Sequence, residues 1–213
     1  MLDIIQLESE LRKRLPYHYS RGRKQNNQRD TMTKYIYKTN TRNDFVSKTK
    51  ILVAQHPMYN KKDLFNYAAN RRYNFWSAQG VEQMFVNHAR VEPEQDRYHQ
   101  SIDFWIDETP FDHKTSVFPR WRGQDIAYSL EHRWELIDRL YQHQSGQQRF
   151  HMQHRIFVLV HAEDGHHRQL KANLSLLESC ITQYLDITSL WDMYSFDHQG
   201  EKVMSDVIWC RGE

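Results

Sequence analysis

At 213 residues the chain has room for one substantial domain, or one domain with an extension, and two full domains would fit only tightly. Its 29 Lys and Arg nearly balance 27 Asp and Glu, so net charge names no partner and the placement of the charges has to do so. Two cysteines without a partner pattern argue for neither a disulfide framework nor a zinc site, and suit reduced thiols in a cytoplasmic protein. The start "MLDIIQLESELRKRL" has no basic region followed by an unbroken apolar stretch, and no later run nears about 18 apolar residues, so a chain outside the membrane is expected.

Leu2, Ile4, Ile5, Leu7, Leu11 and Leu15 recur at helical spacing and predict a helix over residues 2–15, stopped at Pro16. From Arg12 to Lys50 the basic residues are opposed only by Asp30 and Asp44, and they alternate with Tyr17, Tyr19, Tyr35 and Tyr37. Within this segment "YHYSRGRKQNNQRD" reads as a polar loop carrying Arg21, Arg23 and Lys24. Basic groups interleaved with flat rings suit a phosphate backbone with exposed bases, the alternative being a solvated arm without a partner.

Residues 60–88 predict one broken helix or two short ones, with Asn74 or Ser77 able to cap the second. Glu82 sits on or beside the apolar stripe of that segment, either at the rim of the core or aimed at something. Strands follow at 101–107 and 110–118, joined so closely that they form an antiparallel hairpin. In "SVFPRWRGQD", Arg120, Arg122 and Gln124 are candidates to hold phosphate oxygens or reach a base edge, the alternative being a basic loop; Asp125 starts the helix over "GQDIAYSLEHRWELIDRLYQHQ". "RIFVLVH", 155–161, is a continuous apolar strand for the centre of a sheet; a helix over "RQLKANLSLLESCITQYLDI" and a last strand "KVMSDVIWC" complete the chain. The order predicts an α/β or α+β domain over 59–213, a mixed central sheet flanked by helices, preceded by a basic N-terminal helical extension or arm over 1–58.

Strand alternation puts Asp112, Lys114 and Ser116 on one face and His113 on the other. A turn centred between Asp107 and Glu108 places Asp103 opposite Asp112, with Cβ atoms about 4.5–5.5 Å apart. Two carboxylates that close repel unless a cation lies between them or one takes a proton. A hard divalent ion such as Mg2+ accepts oxygen ligands in that arrangement, and Lys114 along the same face can orient or deprotonate an attacking water. The competing reading is a solubilising hairpin whose exposed ion pairs contribute little. Trp105 on the acidic face and Asp, a poor strand former, at mid-strand both weigh against that.

Asp103, eight intervening residues, then Asp112-His113-Lys114 resembles the PD-(D/E)xK nuclease superfamily, the restriction-endonuclease-like fold. The resemblance implies that Asp103 and Asp112 bind Mg2+, with Mn2+ as a substitute, that Lys114 assists the hydrolytic water, and that Glu82 on the preceding helix joins the metal shell. The family's core order of helix, hairpin, strand, helix and strand is similar to residues 73–185. Ser101-Ile102-Asp103 stands where the family has Pro-Asp, and Asp107 is a competing first acid. His113 is expected to be a core or interface histidine and not a ligand.

The function expected is a Mg2+-dependent endonuclease acting on DNA, a homodimer if both strands are cut; the alternative is a catalytically inactive nucleic-acid-binding or scaffold protein on the same fold. A weaker third reading is a protein-interaction module whose arm binds an acidic partner. The histidine groups "HMQH" and "HAEDGHH" lack the spacing and third ligand of a catalytic zinc site. Ser175, Ser179 and Cys180 lack a glycine-flanked nucleophile turn, and no glycine-rich phosphate loop is present.

Overall fold

The computed structural model describes residues 2–17, 26–96, 99, 101–119, 125–143, 153–198 and 200–212. The chain divides into two compact units, Met1–Gly80 with Lys171–Ser175, and Val81–Leu170 with Leu176–Glu213. Residue 58, where composition changes, lies in a connection between two helices of the first unit.

In the first unit α1 (Ile4–Arg12) is capped by Asp3, which accepts the Gln6 N–H at 2.9 Å, and buries Leu7 and Leu11. It is shorter than the 2–15 periodicity suggests. Leu15 precedes a proline and cannot easily stay helical, so the chain closes in tighter turns, Arg14 N–H to Leu11 O and Leu15 N–H to Arg12 O. Residues 27–30, expected within a loop, belong to α2 (Asn27–Met32). Asn26 caps it by accepting the Arg29 N–H at 2.9 Å, and Asp30 is held by Tyr67 and Arg71, so tertiary anchoring supplies what periodicity lacks.

After α3 (Arg42–Gln55), α4 (Lys61–Val86) runs unbroken across the point where a division was expected. The supposed second caps are mid-helix: the Ser77 hydroxyl donates to Lys171 O at 2.7 Å and Asn74 accepts from Lys171 Nζ at 3.3 Å. Gly80 is a close-packing residue here, since a Cβ would come within 3.2 Å of Leu174. Ile36, Phe45, Ala68 and Ala69 form the core of this unit.

The second unit holds a mixed six-stranded sheet with helices on its faces. The strands are β1 (Val91–Pro93), β2 (Phe104–Ile106), β3 (Thr109–Val117), β4 (Arg155–Ala162), β5 (Tyr194–His198) and β6 (Glu201–Gly212), in the order β1-β2-β3-β4-β6-β5. β1 with β2, β2 with β3, and β5 with β6 are antiparallel, whereas β4 is parallel to both β3 and β6. The apolar run of β4 is therefore central and buried, as a strand between two parallel neighbours must be.

The helix expected over 123–144 is two, α5 (Ile126–Glu131) and α6 (Arg133–Gln142), with α5 capped by Asp125. His132 leaves helical geometry between them; its main chain N–H and Nδ1 both meet Tyr128 O, and its ring stacks on Tyr128 at 4.0 Å. One sheet face packs Phe157, Leu159, Val203 and Val207 against Leu136, Ile137 and Tyr141 of α6. The opposite face carries Asp206 and Cys210 toward α7 (Leu174–Ile187), where Tyr184 donates to Asp206 at 3.0 Å and the Cys180 and Cys210 thiols hydrogen-bond. Among the described residues no helix is long and apolar enough to cross a membrane.

Candidate active site

The site begins at a two-residue turn. Asp107 and Glu108 both take left-handed geometry, φ 46° and 65°, the pair whose twist matches a tight hairpin. Neither is glycine, and Asp107 is held there by Arg90, whose Nε donates to Oδ1 at 3.2 Å while Nη2 bonds Oδ2; Nη1 of the same arginine donates to Thr188 O at 2.8 Å. Asp107 is thereby committed to the turn. The turn sets the register Ile106↔Thr109, Trp105↔Pro110 and Phe104↔Phe111, which the expected symmetry requires.

Beyond Phe104 the ladder changes. The Asp103 N–H donates to Phe111 O at 2.8 Å, and its Oδ2 accepts both the main-chain N–H of His113, at 2.8 Å, and the ring Nδ1–H, at 2.7 Å. The carboxylate stands where a strand carbonyl would, in the plane of the sheet beside β3. From there it reaches both faces: His113 on one and Asp112, with which it shares a side-chain hydrogen bond, on the other.

Parallel pairing supplies the next partner. Asp112 lies in register with Arg155, the first residue of β4, and the guanidinium bonds Asp112 Oδ2 through Nε at 2.5 Å and through Nη2. Arg155 keeps only 8% of its side-chain surface accessible and packs over the rings of Tyr141 and Phe157. The acids are less enclosed, 21% accessible for Asp112 and 29% for Asp103, so a small ion or water can reach them. Lys114 shares the Asp112 face, half-buried, and makes no hydrogen bond or ion pair among the described residues. Glu82 approaches from α4, where its charge acts on His113, and Phe85 one turn on stacks on Phe104 at 4.4 Å.

These neighbours fix the protonation. Burial pushes the Asp112 carboxyl up, and the Asp103 charge adds to that against the opposing pull of Arg155, leaving it at about 6. Burial acts the same way on Asp103, but hydrogen bonds from His113 outweigh it and hold Asp103 below the usual carboxylate range. For His113 burial disfavours the charge, yet Asp103, Asp112 and Glu82 together raise it. Burial and the neighbouring Arg155 lower Lys114, which makes its amine more available as a base.

Stability should therefore depend on pH. The contribution of Asp112 is fully present below its ordinary value of 3.8 and is lost as pH rises through about 6; that of His113 is likewise lost with rising pH. Asp103 acts oppositely, losing its contribution only as pH falls through its depressed value. Between pH 5 and pH 8 in EDTA the melting temperature should drop by roughly 5 °C. Mg2+ or Mn2+ should restore more of it at pH 8, where both acids are ionised, than at pH 5. Calorimetric melts at the two pH values check this, and identical curves would remove the coupled acid pair as a feature of the folded state.

The structure brings Asp103, Asp112 and Lys114 together and adds Arg155 and His113, which sequence reasoning did not enlist. Arg155 left one signal, a charged residue heading an otherwise apolar strand; His113 was set aside because alternation sends it to the other face, which it does occupy. The Glu82 charge acts on His113, and among the described residues no group of three or more His, Cys, Asp and Glu is arranged to hold a metal ion. Arg21, Arg23, Lys24, Arg120, Arg122 and Gln124 lie outside the described residues. Of the clustered histidines, His154 and His167 accept main-chain N–H groups of Met204 and Ala162, both at 2.9 Å. Comparisons of the chain with family models, curated proteins and solved structures returned no match.

Proposed function

We propose that the protein is a Mg2+-dependent endonuclease that hydrolyses phosphodiester bonds of DNA, on a restriction-endonuclease-like fold. The observation that carries this is the pair of interacting carboxylates, Asp103 and Asp112, at one end of a hairpin with Lys114 next along the Asp112 face. Two neighbouring carboxylates, the charge of one raising the other, offer when ionised the hard, negatively charged donor set a divalent cation takes. Asp103 and Asp112 would hold the ion, with Glu82 as the third acid that the family resemblance assigns. When bound, such an ion polarises the phosphate and acidifies a water.

The chain's own residues do the rest. Arg155 fixes the Asp112 carboxylate and His113 that of Asp103, so both enter the reaction oriented. Lys114, made less basic by its surroundings, accepts the proton of the attacking water or holds the phosphate charge. Cutting both strands would require a two-fold pair of such chains, and the free thiols of Cys180 and Cys210 suit a cytoplasmic setting.

The direct test is cleavage of labelled single- and double-stranded DNA of varied sequence with Mg2+ or Mn2+, expected to be abolished by EDTA. No cutting of any substrate with either ion would sink the proposal. One observation favours a second reading, a nucleic-acid-binding scaffold without turnover: Arg155 already neutralises the Asp112 oxygen that a metal would use. Salt-dependent DNA binding, with no heat on Mn2+ titration, would select that reading.

A further inference from the structure

The two ends of the sheet are finished differently. At one end β1 is only Val91–Pro93, with a glutamate and a proline that discourage a further strand from joining. At the other end β5 runs over Tyr194–His198 with neither proline nor lysine, and among the described residues it pairs with β6 alone. Just before its start Trp191 is 92% exposed.

The direction of the β5 main chain follows from a bond on the far side of β6. The Met204 N–H donates to His154 Nδ1 at 2.9 Å, on the β4 side, so it turns away from Ser195, its register partner in β5. Ser195 and Met204 are therefore a non-hydrogen-bonded pair of the antiparallel ladder. The N–H and C=O of Ser195 then point outward, as do those of Asp197 two positions on, and among the described residues no main-chain bond leaves this edge. The side chains of Ser195 and Asp197 are exposed, the Asp197 carboxylate accepting the Gly200 N–H at 3.1 Å. Tyr194 and Phe196 are half-buried on the other face, Phe196 edge-on to Tyr141 at 5.3 Å.

We infer that β5 is a dimerisation edge, to which a second copy of this chain adds its own β5 antiparallel about a two-fold axis at Phe196. Outward groups must meet outward groups, and this axis sets Ser195 against the partner's Asp197 and Asp197 against the partner's Ser195, each pair exchanging both hydrogen bonds. The whole strand from Tyr194 to His198 is then paired. Phe196 meets the partner's Phe196 at the close, non-hydrogen-bonded position and Tyr194 faces the partner's His198, so rings oppose rings and no like charges meet. An axis at Asp197 would oppose it to the partner's Asp197, and one at Ser195 would leave Asp197 and His198 beyond the end of the added strand. A two-fold contact closes on itself, and the blunted β1 edge offers no place for a third copy. None of this depends on the chemistry of the hairpin's acids.

The test is sedimentation velocity of the full chain over a dilution series, in EDTA and without DNA, so that its outcome is separate from that of the cleavage assay. The parent should sediment as a dimer that dissociates to a monomer on dilution, with no larger species. Ser195→Pro removes an N–H that the chain's own sheet does not use, and should give a monomer with the circular dichroism of the parent. Ser195→Glu, at an exposed position, opposes a carboxylate to the partner's Asp197 at two symmetric places and should weaken the dimer by about tenfold, whereas Ser195→Lys should tighten it. A parent that is monomeric at every concentration would overturn the assignment and leave the edge to a strand from a different protein. A dimer indifferent to all three substitutions would overturn it as well, by placing the interface elsewhere.

Discussion

Asp112→Asn should lower Mg2+-dependent cleavage by a factor of about 1,000 or more while leaving a folded protein. Asparagine has the same shape, and its Oδ1 still accepts from Arg155, so the strand pair β3 and β4 keeps its contact. What it removes is charge: one of the two carboxylates that would face the proposed cation, and the repulsion that raises Asp112. Because the lost Arg155 attraction and the relieved Asp103 repulsion oppose each other, the melting temperature should move by only a few degrees. Initial rates on labelled duplex DNA and a melt of the same preparation decide the matter. A folded variant retaining more than about a tenth of the rate would take Asp112 out of the chemistry.

Arg155→Ala should produce the largest loss of stability, about 3–5 kcal/mol near pH 7.5, because it leaves the enclosed Asp112 carboxylate beside Asp103 without the guanidinium that is hydrogen-bonded to it. The arginine also packs over Tyr141 and Phe157, and that contact is lost at any pH. The electrostatic part is different. As pH falls through about 6, Asp112 takes a proton and has less need of Arg155, so the gap between variant and parent should narrow at pH 5. Urea unfolding at both pH values measures this, and an equal loss at each would mean that Arg155 acts through packing alone.

What the sequence disclosed followed from how local each feature is. The hairpin register was legible because a two-residue turn and strand alternation determine which residues face each other, and β4 because a continuous apolar run of strand length has one natural place in a sheet. β1 and β5 were not legible: Val91–Pro93 is too short for a pattern and contains a proline, and Tyr194–His198, although it alternates, is a five-residue edge strand with only two apolar positions, Tyr194 and Phe196. The break at His132 depends on a ring stack and a shared carbonyl that leave no trace in apolar spacing. At the site, the face shared by Asp112 and Lys114 followed from alternation. The in-plane position of Asp103 did not, because it arises where the ladder gives way to side-chain bonding, and the pairing of Asp112 with Arg155 depends on a parallel register that no local rule supplies.

That pairing joins residues 43 positions apart. A hairpin closes within about 1–10 μs, whereas parallel strands meet only after a long crossover has been ordered, so the two halves of the site arrive at different times on the folding path. A chain that has made β2 and β3 carries its opposed acids without their arginine, and the acids can relieve each other only by taking a proton. If the acids hold a cation as proposed, competence to do so in oriented form would be acquired only with the docking of β4, and a partly folded chain that lacks that strand pair would be inactive.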